Sequence, residues 1–204
     1  MHKAAWFFLG AGSLLILEVI AAGAVLARAH GSSAREEPTR IERWIARRAH
    51  AAAIPADAKT RADPVPKTDE VIVEARAHWA DHCASCHAND GSGDTPMGKH
   101  MYPQAPDMRH AETQSLTDGE LFYIIQNGVR LTGMPAWGSG SDHDAQDSWK
   151  LVDFIRHLPS LTFEERKQME KLNPKGPEEL REEEEEEKFL KGETSNEPEQ
   201  YHHH

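Results

Sequence analysis

The chain has 204 residues, 28% of them charged, and a net charge of −11. That length suits one modest domain with appended segments and excludes two large ones. Two cysteines exclude a scaffold stapled by several disulfides, and the acidic balance does not suit nucleic acid as a partner.

Charge divides the chain in three. Residues 1–68 carry 10 Lys/Arg against 6 Asp/Glu, residues 69–160 carry 6 against 14, and residues 161–204 carry 7 against 14. Three electrostatic characters predict three different jobs.

Residues 4–27 are apolar apart from Ser13 and Glu18, long enough for a helix that spans a bilayer. We read residues 1–28 as an uncleaved transmembrane signal-anchor. The rival is a cleaved signal peptide, because Ala27-Arg28-Ala29 has the small-x-small form of a cleavage site. Glu18 reads as a protonated or interfacial side chain rather than a contact with another membrane subunit. Arg28, Arg35, Arg40 and Arg43 follow the span and Lys3 precedes it, so the positive-inside rule puts the rest of the chain in the cytoplasm.

Residues 29–67 read as a basic amphipathic and Pro-rich tether. Ile41, Trp44, Ile45 and Ala49 recur at helical spacing, with Arg40, Arg43 and Arg47 elsewhere on the wheel. Such a helix suits lipid headgroups, a partner protein or the acidic parts of the same chain equally well. Pro55, Pro64 and Pro66 predict an extended stretch with no helical continuation.

Thr68 is a good N-cap, followed by Asp69 and Glu70 in a first turn. Ile72, Ala75, Trp79 and Cys83 then recur at helical spacing, so the helix delivers Cys83 on its buried face. Cys83, Cys86 and His87 form Cys-x-x-Cys-His. Structural zinc wants about four N/S ligands, and the chain has no second cysteine pair. A thioredoxin-like dithiol belongs in a βαβ setting that the sequence lacks. Covalent attachment of a c-type haem needs this spacing: two thiols reach two vinyl positions on one porphyrin edge, and the next residue offers its imidazole to the iron.

A distal ligand is then needed. Met134 lies in the Gly/Pro-rich TGMPAWG, off any helical face. Thioether ligation opposite histidine raises the reduction potential and closes the iron to small ligands. Met97, Met101, Met108, His100 and His110 are competitors, read as packing or surface residues. Thr117 and Glu120 predict a capping box for a helix that buries Leu121, Ile124 and Ile125 and ends at Asn127-Gly128. A last core helix is predicted from Asp144 to Leu158, burying Trp149, Val152, Ile155 and Leu158, with Pro159 as its stop.

Residues 68–160 resemble a class I cytochrome c domain through HCASCHANDGSG, YPQAPDM, TDGELFYIIQNG, TGMPAWG and SWKLVDFIRHLP. The resemblance implies an all-α fold wrapped round one haem c. It also implies that first and last helices cross, with Ala75 where the family often has glycine and Trp149 on the partner surface. The family's second-shell proline falls on Pro106, whose carbonyl would accept a hydrogen bond from His87. Haem attachment of this kind implies assembly across the cytoplasmic membrane. That argument takes precedence over the arginine count and puts a single-pass protein's haem domain in the periplasm.

Beyond residue 160 the sequence predicts an acidic, partly helical tail. Thr162 and Glu165 form another capping box for a short helix to about Leu172, and Pro177 starts a second helix through the glutamate run of 182–187. His202, His203 and His204 close the chain as either a tag remnant or a weak metal-binding tail. The functional expectation is a membrane-anchored electron carrier, not an enzyme, serving redox partners with a basic docking face. The alternatives are a haem-bearing subunit of a respiratory or dehydrogenase complex, and a haem enzyme or sensor with an open iron site.

Overall fold

The structure is a computed structural model that describes residues 2–28, 33 and 36–191. The C-terminal histidines lie outside these. The described residues contain helices and no strand: α1 (His2–Arg28), α2 (Arg40–Ala53), α3 (Ala56–Lys59), α4 (Asp69–His78), a π-helical turn (Trp79–Cys83), α5 (Ala84–His87), α6 (Pro96–Lys99), α7 (Ala111–Gln114), α8 (Asp118–Asn127), α9 (Asp142–His157), a 3₁₀ turn (Leu158–Ser160), α10 (Phe163–Glu170) and α11 (Pro177–Leu190).

Within α1, Lys3–Val25 has a mean hydropathy of 2.1 and none of it is buried. It is a candidate transmembrane helix by length and composition.

The core forms where α4 crosses α9. Ala75 is 1% exposed at this crossing, and its small side chain lets the helices approach. Trp149, Val152, Ile155 and Leu158 are buried as their spacing predicts, joined by Leu151 and Phe154. Helix α8 carries the expected Thr117/Glu120 capping box and ends at Gly128 with φ +65°. Its stripe differs by one residue from the sequence reading: Ile124 is half-buried, and Phe122 is buried instead. Phe122 stacks on Trp149 at 4.2 Å between ring centroids with planes 14° apart, a contact with Trp149 that local periodicity does not reveal.

The stretch after Ile54 corrects the expectation of an extended chain. Pro55 caps a helical turn, α3, whose Ala58 is buried against α8. A Cβ at Gly119 would collide with the Ala58 carbonyl and lie 2.8 Å from the Arg61 carbonyl, so α8 has a glycine where this segment needs close approach. Arg61 lies over Phe122 at 4.7 Å, and Val65 packs on the core. Residues 54–67 are thus an arm laid along the domain.

The first part of the acidic segment joins the core too. Thr162 and Glu165 make the predicted capping box. Met169 is fully buried, Arg76 pairs with Glu165 at 3.4 Å and His157 Nε2 lies 2.9 Å from the same carboxylate. Helix α11 begins at Pro177 as predicted and buries no residue.

Candidate haem site

The Cys-x-x-Cys-His motif is built on a widened helix. After α4, the Ala84 N–H bonds back to the Trp79 carbonyl, five residues earlier, and not to Ala80. The extra residue keeps both Trp79 and Ala80 buried while Cys83 emerges half-buried. Such π turns recur at functional sites because they re-aim side chains without ending the helix. Helix α5 ends on Ala88 at φ +60°, which turns the Ala88 carbonyl to accept the Trp79 indole N–H at 2.9 Å. Trp79 also meets the His87 ring at 5.8 Å, with Phe154 behind it at 5.5 Å. The sequence placed Trp79 on the buried face but gave no sign of this bracing role.

Both cysteines are free thiols. Burial, and then its neighbour Cys86, push the Cys83 thiol up to about 12. A redox dithiol needs an acidic thiol, so this environment is the opposite of what that chemistry requires. Cys86 Sγ lies 3.3 Å from Met97 Sδ, an exposed methionine.

Burial lowers His87 to about 4, so the imidazole is neutral at physiological pH and keeps a lone pair for a metal. Its Nδ1 is buried without a hydrogen-bond partner. The predicted bond to the Pro106 carbonyl is therefore not formed here, although the loop bearing it is close. Gly93, whose N–H donates to the His87 carbonyl at 2.9 Å, would place a Cβ 3.3 Å from the Pro106 oxygen. The two loops are fastened by Arg109, which pairs with Asp90 at 2.8 Å and Asp107 at 2.6 Å. The Arg109 hydrogen bonds hold the Asp107 carboxyl below its ordinary range. Arg109 carries no motif and the sequence reading missed it.

Met134 sits half-buried in a loop pinned to the end of α8. Trp137 and Gly138 N–H groups donate to the Ile125 and Gln126 carbonyls at 3.1 and 3.0 Å, and Val129 N–H donates to the Met134 carbonyl at 3.1 Å. Thr132 Oγ1 accepts from Met134 N–H at 3.1 Å. Gly128 abuts Pro135, and a Cβ there would lie 2.5 Å from the Pro135 carbonyl carbon. This loop and the cysteine motif meet through Trp137, edge-on to His82 at 5.6 Å. Of the competing residues, Met108 is buried in the core, Met101 lies against Gly133, and His100 and His110 are exposed.

Two free, half-buried thiols, a histidine held neutral beside them, and a methionine loop meeting the same helix fit a haem. Residues 71–155 match the family described as cytochrome C oxidase, cbb3-type, subunit III, over under half of the chain. They form a class I c-type cytochrome domain. No curated protein matches the sequence.

Proposed function

We propose that the protein is a membrane-anchored monohaem cytochrome c that passes single electrons between redox partners on the periplasmic side. The observation that carries this reading is His87, held neutral by burial and so with a lone pair free for iron, directly behind two free thiols. Cys83 and Cys86 would hold one haem through thioethers, His87 would be the proximal ligand and Met134 the distal one. Pro106 would accept from His87 Nδ1, fixing the ring and its tautomer. When bound, haem iron takes up and releases one electron, its potential set by ligands, hydrogen bonds and burial. Trp79 holds the His87 ring in place, and the bonds from α8 hold the Met134 loop. Helix α1 would anchor the chain in the cytoplasmic membrane.

A reduced-minus-oxidised spectrum of the holoprotein tests the ligand set. Met134→Ala is expected to abolish the Met-to-iron charge-transfer band while the haem stays on the chain through a denaturing gel. Ready carbon monoxide binding by the ferrous wild type at neutral pH would overturn the six-coordinate reading. The match to an oxidase subunit family favours a second reading, a haem-bearing subunit of a membrane respiratory complex. Copurification with other membrane subunits in mild detergent would establish that; a lone chain supports the tethered carrier.

A further inference from the structure

Helix α2 has two unlike sides. Arg47 ties it to the haem domain by pairing with Glu112 at 2.5 Å, and partial desolvation and then the nearby Glu42 raise the Tyr102 phenol. His50, between Glu42 and Arg47 on the wheel, is half-buried. Ile41, Trp44, Ile45 and Arg48 follow i, i+3, i+4, i+7 spacing and so share the opposite side. There Ile41 is 71%, Trp44 62% and Ile45 54% exposed. Arg48 lies over the Trp44 ring at 5.7 Å. Arg40, Arg43 and Arg48 make no ion pair among the described residues.

We infer that α2 lies flat on an anionic lipid surface, its Ile41/Trp44/Ile45 stripe in the headgroup–acyl boundary and Arg40 and Arg48 beside it on the phosphates. The inference rests on the reading of α1 as a membrane anchor. Three observations commit to lipid. The span ends at residue 28 and α2 begins at Arg40; the eleven residues between reach roughly 40 Å at full stretch, so α2 stays near the membrane. Three arginines without an ion pair among the described residues, Arg40, Arg43 and Arg48, match anionic headgroups, in a chain otherwise acidic from residue 69 onward. An apolar stripe with tryptophan and long arginine stems, whose heads reach up to water, is suited to that boundary. The competing occupants fit less well. A second copy would set four arginines against four. In the glutamate run of α11, Glu183 pairs with Lys175 and Glu187 with Lys191, and the run has no apolar face to match the Ile41/Trp44/Ile45 stripe.

Because Arg47 and the buried Ile54 hold α2 to the domain, a membrane-lying α2 would fix the orientation of the haem domain as well as its distance from the membrane. Tyr102 and Glu112 would then mark the membrane-facing side, with Met101 beside the Gly133 of the distal loop.

The test is amide hydrogen exchange of residues 40–53 in the full-length holoprotein, in nanodiscs of phosphatidylcholine alone or with one-third phosphatidylglycerol. Exchange is expected to be roughly ten-fold slower with the anionic lipid. The slowing should vanish in Ile41→Gln/Trp44→Gln/Ile45→Gln, whose side chains keep good helix propensity and whose haem spectrum should not change. Equal exchange in both lipids would overturn the inference while leaving the anchor intact. Protection that is independent of anionic lipid and lost on deleting residues 182–187 would overturn it in favour of the tail. Protection that appears only with another membrane protein present would overturn it in favour of a protein partner. Failure of the chain to enter discs would overturn both the inference and the anchor reading.

Discussion

Asp153 is 4% exposed on α9, and its Oδ2 has no hydrogen-bond partner; nor does the buried Oδ2 of Asp63 on the arm. Burial, then the Asp63 charge, raise the Asp153 carboxyl to about 6, against the pull of Lys67 3.4 Å away. An unfolded aspartate ionises near 3.8. Between about pH 4 and 6 the folded chain therefore binds more protons than the unfolded one, and stability falls as pH rises through that window. Above about 6 the loss is complete. Asp153→Asn is expected to flatten this slope and to raise stability at pH 7 by on the order of 2 kcal/mol. Chemical denaturation at pH 4, 5, 6 and 7 checks it; parallel curves for the two proteins would mean that no proton is held between arm and helix. Neither aspartate stood out in the sequence. Their meeting depends on the arm folding back, which no local pattern encodes.

At the scale of elements, Gly119 decides whether the arm stays docked. Glycine inside a helix costs up to about 1 kcal/mol relative to alanine, so Gly119→Ala would stabilise α8 if the site were open. With the Ala58 and Arg61 carbonyls against it, overpacking of about 1–3 kcal/mol should win. The expected result is faster tryptic cleavage after Lys59 and Arg61 with an unchanged haem spectrum; unchanged cleavage would show the arm to be loosely held. Local signals were legible where they are self-contained. The capping boxes at Thr117 and Thr162, the Pro177 start and the Gly128 stop all depend on residues within one turn. The widened turn before Cys83, the choice of Phe122 over Ile124 and the α3 contact depend on partners tens of residues away, and periodicity is silent about those. The same divide runs through the site. The thiols and His87 form a spacing motif, whereas Trp79 and Arg109 act through contacts that only the fold creates.

For the whole molecule, residues 69–160 carry more than twice as many acidic as basic residues. A redox partner with a basic docking face would be steered to this surface over distances that salt shortens. The bimolecular electron-transfer rate with such a partner is expected to fall roughly five- to ten-fold between 20 and 300 mM salt. Stopped-flow reduction across that range measures it, and a salt-independent rate would remove charge from the encounter. The basic residues of α2 do not blunt this effect if they are held on lipid. The molecule would then present opposite signs to its two neighbours, membrane and partner.

The buried Met169 also bears on how this cytochrome could be exchanged with others. The family match stops at residue 155, yet the core is plugged by a side chain fourteen positions further on, and Glu165 grips Arg76 of the first core helix. A transplant of the matched stretch alone would arrive with an open socket where Met169 belongs. Grafting would succeed only with donors that bring their own plug, so the interchangeable unit extends beyond the stretch the family has in common.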